Sequence, residues 1–406
     1  MTQSVSTVRL VVLACGLMLV SQLANYVLAP AFPQLPGEFG VPVVQVQQLL
    51  GVFLAGFAIV QLIVGPLSDG YGRRPAVVVG LVLFVIGSGI CATADSLTML
   101  AIGLLIQAMG AGSFPTLAQA VLRDKYDQRA VVGVMSILSA VMAVTVAATP
   151  LVSSLVLDSL GWRAMYIALF WMIAPLIIVI PLILPETLAP ADRADIRPRK
   201  IVKAYGEIAR NRPFMAFAIA LGLMTGSMAA FFAGAPFVFL NDFGFTFEQF
   251  GWWFLLAFSG FIIGALGGGR VVARFGWGMR STALGGVLLA LGGSILGFIL
   301  ALVMPNSAEV VLLAAFLFSL GLGLALGVGR GAAMMRISSN IGAASATINF
   351  AIGALAALVS AVAPHFETQD HSSLFLVTSV VAALAVLAVV AAGKDPVIPT
   401  DAGPPT

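Results

Sequence analysis

Twelve apolar stretches, each long enough to cross a bilayer, follow one another along this 406-residue chain with short polar breaks between them. They lie near residues 10–32, 47–67, 76–94, 98–121, 131–156, 164–184, 214–239, 250–269, 282–303, 309–329, 341–363 and 373–392. A hydrocarbon core about 30 Å thick needs about 20 apolar residues per helix. Only 9% of the residues are charged and the mean hydropathy is +1.07, against about 25% charged residues in soluble domains. Such a chain cannot cover a water-facing surface, which excludes a soluble enzyme. The expected fold class is therefore all-α and integral to the membrane, with short loops. The first run follows Arg9 but is too long for a signal peptide and lacks a clear small-residue cleavage site, so it is read as a span.

The 20 Lys and Arg against 17 Asp and Glu give a net charge of +3. In a soluble protein that balance would suggest nucleic acid; among spans it reports topology, because short cytoplasmic loops collect Lys and Arg. With the N-terminus inside, only Arg163 falls outside. The other nineteen fall inside: Arg9; Arg73 and Arg74; Arg123, Lys125 and Arg129; seven from Arg193 to Arg212; Arg270, Arg274 and Arg280; Arg330 and Arg336; and Lys394. An even number of spans then places both termini in the cytoplasm. Cys15 and Cys91 lie in apolar runs, with no spacing that suggests a metal or a disulfide framework.

The longest polar segment, about Pro185 to Arg212, divides the spans six and six. The expected organisation is a six-helix bundle over 1–186, a cytoplasmic linker over 187–212, a second bundle over 213–393, and a cytoplasmic tail over 394–406 that is expected to be disordered. The sequence repeats weakly at an offset of 204: Glu38-Phe39-Gly40 against Asp242-Phe243-Gly244, Gly56 against Gly260, Gly65 against Gly269, and Tyr71-Gly72 against Phe275-Gly276. Two parallel repeats about an axis along the membrane normal are a transporter arrangement, with substrate at the midplane between the halves.

Between spans two and three stands Gly65-Pro-Leu-Ser-Asp69-Gly-Tyr-Gly72-Arg73-Arg74-Pro75. The glycines permit a tight turn at the membrane surface, and Asp69 can pair with Arg73 or accept hydrogen bonds from a helix N-terminus. This run resembles the G-x-x-x-D-x-x-G-R-[RK] signature of the major facilitator superfamily, whose fold is twelve spans in two pseudo-symmetric six-helix bundles. The resemblance implies a conformational switch at Gly65, Asp69, Gly72, Arg73 and Arg74, with Asp69 facing the start of span eleven near Ser338-Ser339-Asn340. Further stretches are similar to the Bcr/CflA-like drug-resistance subfamily of drug:proton antiporters. They are Pro30-Ala-Phe-Pro33, Gln107-Ala-Met-Gly110 with Arg123-Asp124, Gly161-Trp162-Arg163, Leu184-Pro-Glu186-Thr187, Gly234-Ala-Pro236, Phe243-Gly244 and Gly342-Ala-Ala-Ser345-Ala.

The departures from that subfamily bear on mechanism. Its acidic residue four positions before the first Pro of the P-A-[LF]-P turn is here Tyr26, and its span-four Arg is here Leu104. The span-five signature keeps only the Pro and the small residues of Thr149-Pro150-Leu-Val-Ser-Ser154. A lone charge in lipid is costly, so losing both partners together strands neither. No Asp or Glu falls near the middle of a span. Proton coupling, which the resemblance implies, would then fall to Asp69 or Asp124, in a role unusual for their position.

Gln22, Asn25 and Tyr26 stand at i, i+3 and i+4 on one helix face, where they either line a cavity or bond neighbouring helices. The other candidate cavity residues are Gln61, Gln107, Phe114, Met228, Phe232, Phe258 and Asn349. Met and aromatic side chains suit varied amphipathic ligands, although each also suits plain packing. There is no phosphate-binding loop, metal-ligand cluster or nucleophile with a plausible base, so no catalysis and no cofactor are expected. The expected partners are a small-molecule substrate, a proton if transport is coupled, and the lipid bilayer, with no nucleic acid. The expected setting is a bacterial inner membrane and the expected state a monomer. The resemblance implies a secondary exporter of drugs or metabolites. A proton-independent facilitator for a neutral or anionic metabolite is the second reading, and a transport-dead receptor or scaffold the third.

Overall fold

The computed structural model describes residues 7–126, 128–188, 193, 197–337, 341–366 and 371–393. The expected tail, the start of span eleven at Ser338-Ser339-Asn340 and part of the linker lie outside the described residues. The chain forms the helices α1 (Thr7–Tyr26), α2 (Leu35–Phe39), α3 (Val43–Tyr71), α4 (Arg73–Ala92), α5 (Leu97–Arg123), α6 (Gln128–Leu160), α7 (Trp162–Ile183) and α8 (Pro198–Ala209). The second half adds α9 (Arg212–Pro236), α10 (Phe247–Phe275), α11 (Met279–Val303), α12 (Ala308–Met334), α13 (Ile341–Val362) and α14 (His371–Ala391). All except the short α2 and the linker helix α8 contribute a segment long and apolar enough to span a membrane, twelve in all.

Local chemistry sets the helix ends. The prolines of Pro30-Ala-Phe-Pro33 cannot continue a helix, so α1 gives way to a tight 3-10 turn over Ala29–Gln34. Ser96 accepts from the Met99 N–H at 3.3 Å and Asn211 from the Phe214 N–H at 3.1 Å. Thr246 and Gln249 close a reciprocal capping box on α10. Several helices outrun their apolar cores. Arg330, assigned to a loop from the sequence, lies inside α12, and Arg270 and Arg274 lie inside α10. The apolar pattern stops at the first charge, but backbone hydrogen bonding does not, because a long cationic side chain can reach water from within a helix.

The two sets of six spans pack by the same plan. α3 and α4 pack on α5 as α10 and α11 pack on α12, and α7 packs on α4 as α14 packs on α11. Glycines set these close approaches. A methyl group on Gly56 would stand 2.7 Å from the Leu105 carbonyl oxygen, and one on Gly260 2.6 Å from that of Phe316. Likewise Gly110 meets the Gly80 carbonyl at 2.6 Å and Gly321 that of Gly286 at 2.5 Å. The repeat seen in sequence therefore extends to backbone contacts. Between the two sets, α3 packs on α13 and α6 on α10.

Because the Gly56 contact is with backbone, which cannot swing away, Gly56→Val is expected to destabilise the protein by about 1–3 kcal/mol. Gly267→Ala, with nothing within 4 Å, is expected to be neutral; thermal unfolding of the two purified variants in detergent is the measurement.

Candidate functional site

At the end of the molecule that carries the basic loops, Arg73 joins three helix ends. Gly72 has φ +109°, a conformation that favours glycine, and turns the chain between α3 and α4. Arg73 then donates to Asp69 one turn back, to Ser68 Oγ at 2.7 Å, and through Nε to Asp124 Oδ2 at 3.1 Å at the end of α5. Thr187 Oγ1 donates to the same Asp124 oxygen at 2.9 Å. Glu186 accepts from the backbone N–H of Arg73 at 2.8 Å and of Arg74 at 3.3 Å, an anion on the N-terminus of α4. The Gly65–Pro75, Arg123-Asp124 and Leu184–Thr187 stretches, scattered in sequence, thus form one clasp. A second clasp lies at the opposite end: Glu38 accepts from Trp162 Nε1 at 2.8 Å and pairs with Arg163, which also donates to the Ala94 carbonyl at 2.7 Å.

Beside the first clasp, α3 and α13 face each other across a cavity of about 490 Å³. Gly65, Asp69, Arg73, Asp124 and Asn349 line it, together with Thr116, Gln119, Arg123 and the linker-helix residues Lys200, Ile201, Ala204 and Tyr205. Pro66 has no N–H to give the Leu62 carbonyl one turn back. The Tyr205 hydroxyl takes that place, donating to Leu62 O at 2.8 Å. Burial, with a smaller contribution from the negative charge of Asp69, pushes the Tyr205 phenol up to about 12. The hydroxyl therefore keeps its proton across the physiological range.

Away from the basic end the gap is shut. Gly51 approaches the Ala357 carbonyl, Gln48 Nε2 donates to Ala361 O at 3.2 Å, and Gly251 stands against Leu151. Tyr26 of α1 packs on Phe232 of α9 with ring centroids 4.2 Å apart. Phe232 in turn meets Phe254 at 4.6 Å and Phe258 at 5.0 Å, and those two rings stack at 4.5 Å. An aromatic plug thus bridges the two sets of spans.

The profile of the Major Facilitator Superfamily matches residues 14–364. The chain belongs to the major facilitator superfamily. It is therefore a membrane transporter rather than an enzyme. It is 27% identical over 361 residues to the uncharacterised MFS-type transporter YdgK of Bacillus subtilis, covering 88% of this chain and 89% of that one. It is 28% identical over 268 residues to multidrug resistance protein D of Escherichia coli, covering 66% and 67% of the two chains. The likeness to multidrug resistance protein MdtL of Escherichia coli, 27% over 213 residues, spans about half of each protein, 52% and 54%. Among solved structures, a bacterial homologue of the human lysosomal transporter Spinster superposes with a TM-score of 0.76 at 12% identity, covering 98% and 100%. The human organic anion transporter MFSD10 superposes with 0.70 at 18%, covering 96% and 100%. At these identities the structures show a shared fold.

Against this major facilitator framework the candidate cavity residues divide. Asn349 lines the cavity. Tyr26, Phe232 and Phe258 form the plug, Met228 lies one turn before Phe232 on α9, and Gln22 is buried on the Tyr26 face of α1. Asn25 Oδ1 is buried with no hydrogen-bond partner among the described residues. Gln61 is engaged at both ends, donating to Gly112 O at 2.9 Å and accepting from Thr116 at 2.6 Å, so it ties α3 to α5. Gln107 and Phe114 are not brought to the cavity. Gln107 donates to Ser88 Oγ at 2.8 Å, and Phe114 packs on Phe84 at 5.7 Å, both between α4 and α5. Gly80 and Gly87 hold those helices so close that side chains between them are committed to packing. Tyr205 was not anticipated; its signal is Pro66, which frees a carbonyl four residues earlier.

Removing Arg73 would leave two carboxylates, Asp69 and Asp124, without their cation. Their side chains keep 43% and 17% exposure, so Arg73→Met is expected to cost on the order of 2 kcal/mol, less than a fully buried pair. Arg73→Met with Asp124→Asn should recover part of that loss in thermal unfolding. For the linker helix, Tyr205→Phe is expected to cost about 1 kcal/mol and to speed amide hydrogen exchange across α8 about fivefold. The ratio of variant to parent should stay constant from pH 6 to 9, since the hydroxyl remains protonated there.

Proposed function

We propose that this protein is a secondary carrier of small amphipathic compounds, exporting them by alternating access across a bacterial inner membrane with both termini in the cytoplasm. The observation that carries the reading is the asymmetry between the two sets of spans, a cavity at the basic end and an aromatic plug at the other. With the basic loops inside, this arrangement faces the cytoplasm. Export requires Tyr26 and Phe232 to part while the cavity beside Asp69 closes. The Arg73 clasp fixes the ends of α3, α4, α5 and α7 relative to one another, so these helices move as one body. The named drug-resistance relatives support an amphipathic substrate, and so does the adaptable wall of Met228, Phe232 and Phe258.

A proton-independent cycle is favoured by one observation. Every described Asp and Glu lies in a loop, in the linker helix or near a helix end, and Asp69 and Asp124 are both paired to Arg73. A proton on either would have to break the clasp, whereas a midplane carboxylate would titrate without structural cost.

In proteoliposomes loaded with a panel of labelled amphipathic compounds, net flux should exceed that of empty vesicles and should fall at least tenfold in Phe232→Asp, which buries a charge in the plug. An imposed pH gradient is expected to leave the final distribution unchanged. Accumulation against the concentration gradient that disappears in Asp124→Asn would instead make the clasp the coupling site, and no flux of any compound would remove the transport of amphiphiles altogether.

A further inference from the structure

Arg330 is a cation that lies outside the clasp. It sits four residues before the end of α12 and makes no hydrogen bond, ion pair or ring contact among the described residues. It is exposed, yet surrounded by protein. Its guanidinium is therefore solvent-accessible beside the last turns of α12 and not sealed in the packing between helices.

The packing gives its direction. On α12, Gly327 faces Ala265 of α10, Gly329 faces Leu221 of α9, and Gly331 faces Met279 of α11. At 100° per residue, position 330 falls on the arc between the faces given to α10 and α9, nearer that of α10. The internal repeat agrees. Phe316 stands to Gly260 as Leu105 stands to Gly56, and Gly321 to Gly286 as Gly110 to Gly80, so α12 follows α5 by 211 residues in both contacts. The same offset pairs Arg330 with Gln119, which lines the cavity, as does Arg123 one turn further along α5.

The charges around this space do not cancel. Asp69 and Asp124 are both spent on Arg73, and Glu186 on the N-terminus of α4. Arg123 makes only a 3.4 Å bond to the neutral Gln119. Among the described residues, Arg123 at the cavity and Arg330 on α12 therefore carry positive charge that no carboxylate compensates, and no cavity-lining acid is left unpaired.

We infer that Arg330 is an anion-recognition residue and that the transported compound is an organic anion, an apolar body carrying one carboxylate or sulfonate. This deepens the carrier reading and rests on it for transport, though not for binding. Arg330 would take the acid bidentately, with Arg123 adding attraction from across the gap and the Met228 and Phe232 face receiving the apolar part.

The test is equilibrium binding of three probes of one shape to the purified full-length protein in neutral detergent: labelled 2-naphthoate, the uncharged 2-naphthamide and the cationic 2-naphthylmethylammonium. The parent protein is expected to bind the naphthoate at least tenfold more tightly than the amide, the scale of one charge-assisted contact, and the cation more weakly still. Arg330→Gln should bring naphthoate to the level of the amide without altering amide binding, and Arg330→Lys should keep part of the preference. Because Arg330 has no partner to strand among the described residues, both variants should match the parent in thermal unfolding. Equal binding of all three probes, preference for the cation, no binding of any probe, or an unchanged preference in Arg330→Gln would each overturn the assignment. Flux of the same probes in proteoliposomes separates the two readings: selective binding without flux keeps the anion site and removes the carrier, whereas flux without charge selectivity does the reverse.

Discussion

Hydrocarbon offers no hydrogen-bond partner, and the arrangement of this protein follows from that constraint. Many of the polar groups that the chain carries into the membrane are answered by another part of the chain. Thr145, Thr149 and Ser153 return their hydroxyls to carbonyls one turn back in α6, around Pro150, and Gln61 spends both ends of its amide on α5. Where a proline breaks the ladder in α3, a tyrosine from the linker completes it. The linker helix is thus joined to the first set of spans by a defect in the helix it touches, and to the second by its packing on α13 and by Asn211, whose amide donates to the Arg336 carbonyl at 3.1 Å.

Charge obeys the same rule at the membrane surface. Arg73 is only 8% exposed, and it is tolerable there because two carboxylates and a hydroxyl surround it. Glu186 is held by backbone N–H groups rather than by a cation. That division of labour leaves Arg123 and Arg330 without a carboxylate partner among the described residues.

Much of this was legible in the sequence, for reasons that differ by residue. Spans announce themselves because a lipid-facing helix must be apolar along its whole length. The Gly65–Pro75 signature could be recognised as a turn with a charge pair, since Asp69 and Arg73 are one helical turn apart. That Asp124 and Glu186 close on the same arginine, with Thr187 on Asp124, could not be read, because they are 51 or more residues away and loop composition does not encode which loops meet. Gln107 and Phe114 misled for a related reason: a polar or aromatic residue in a span points inward, but inward includes the seam between α4 and α5. Arg330 was read as loop because apolar periodicity ends there, although the helix does not.

The glycine contacts also record where this architecture has been free to change length. The partner of α3 lies 204 residues on in α10, that of α4 lies 206 on in α11, as Gly80 and Gly286 show, and that of α5 lies 211 on in α12. One step falls in the three-residue connection 276–278 and the other at the far end of α11, which has 25 residues against 20 in α4. Within the helices the register between touching backbones is kept. The two halves have thus aged like paired rulers whose graduations stayed fixed while their ends were trimmed and extended. Growth in this molecule is admitted at its edges and refused wherever one helix measures itself against another.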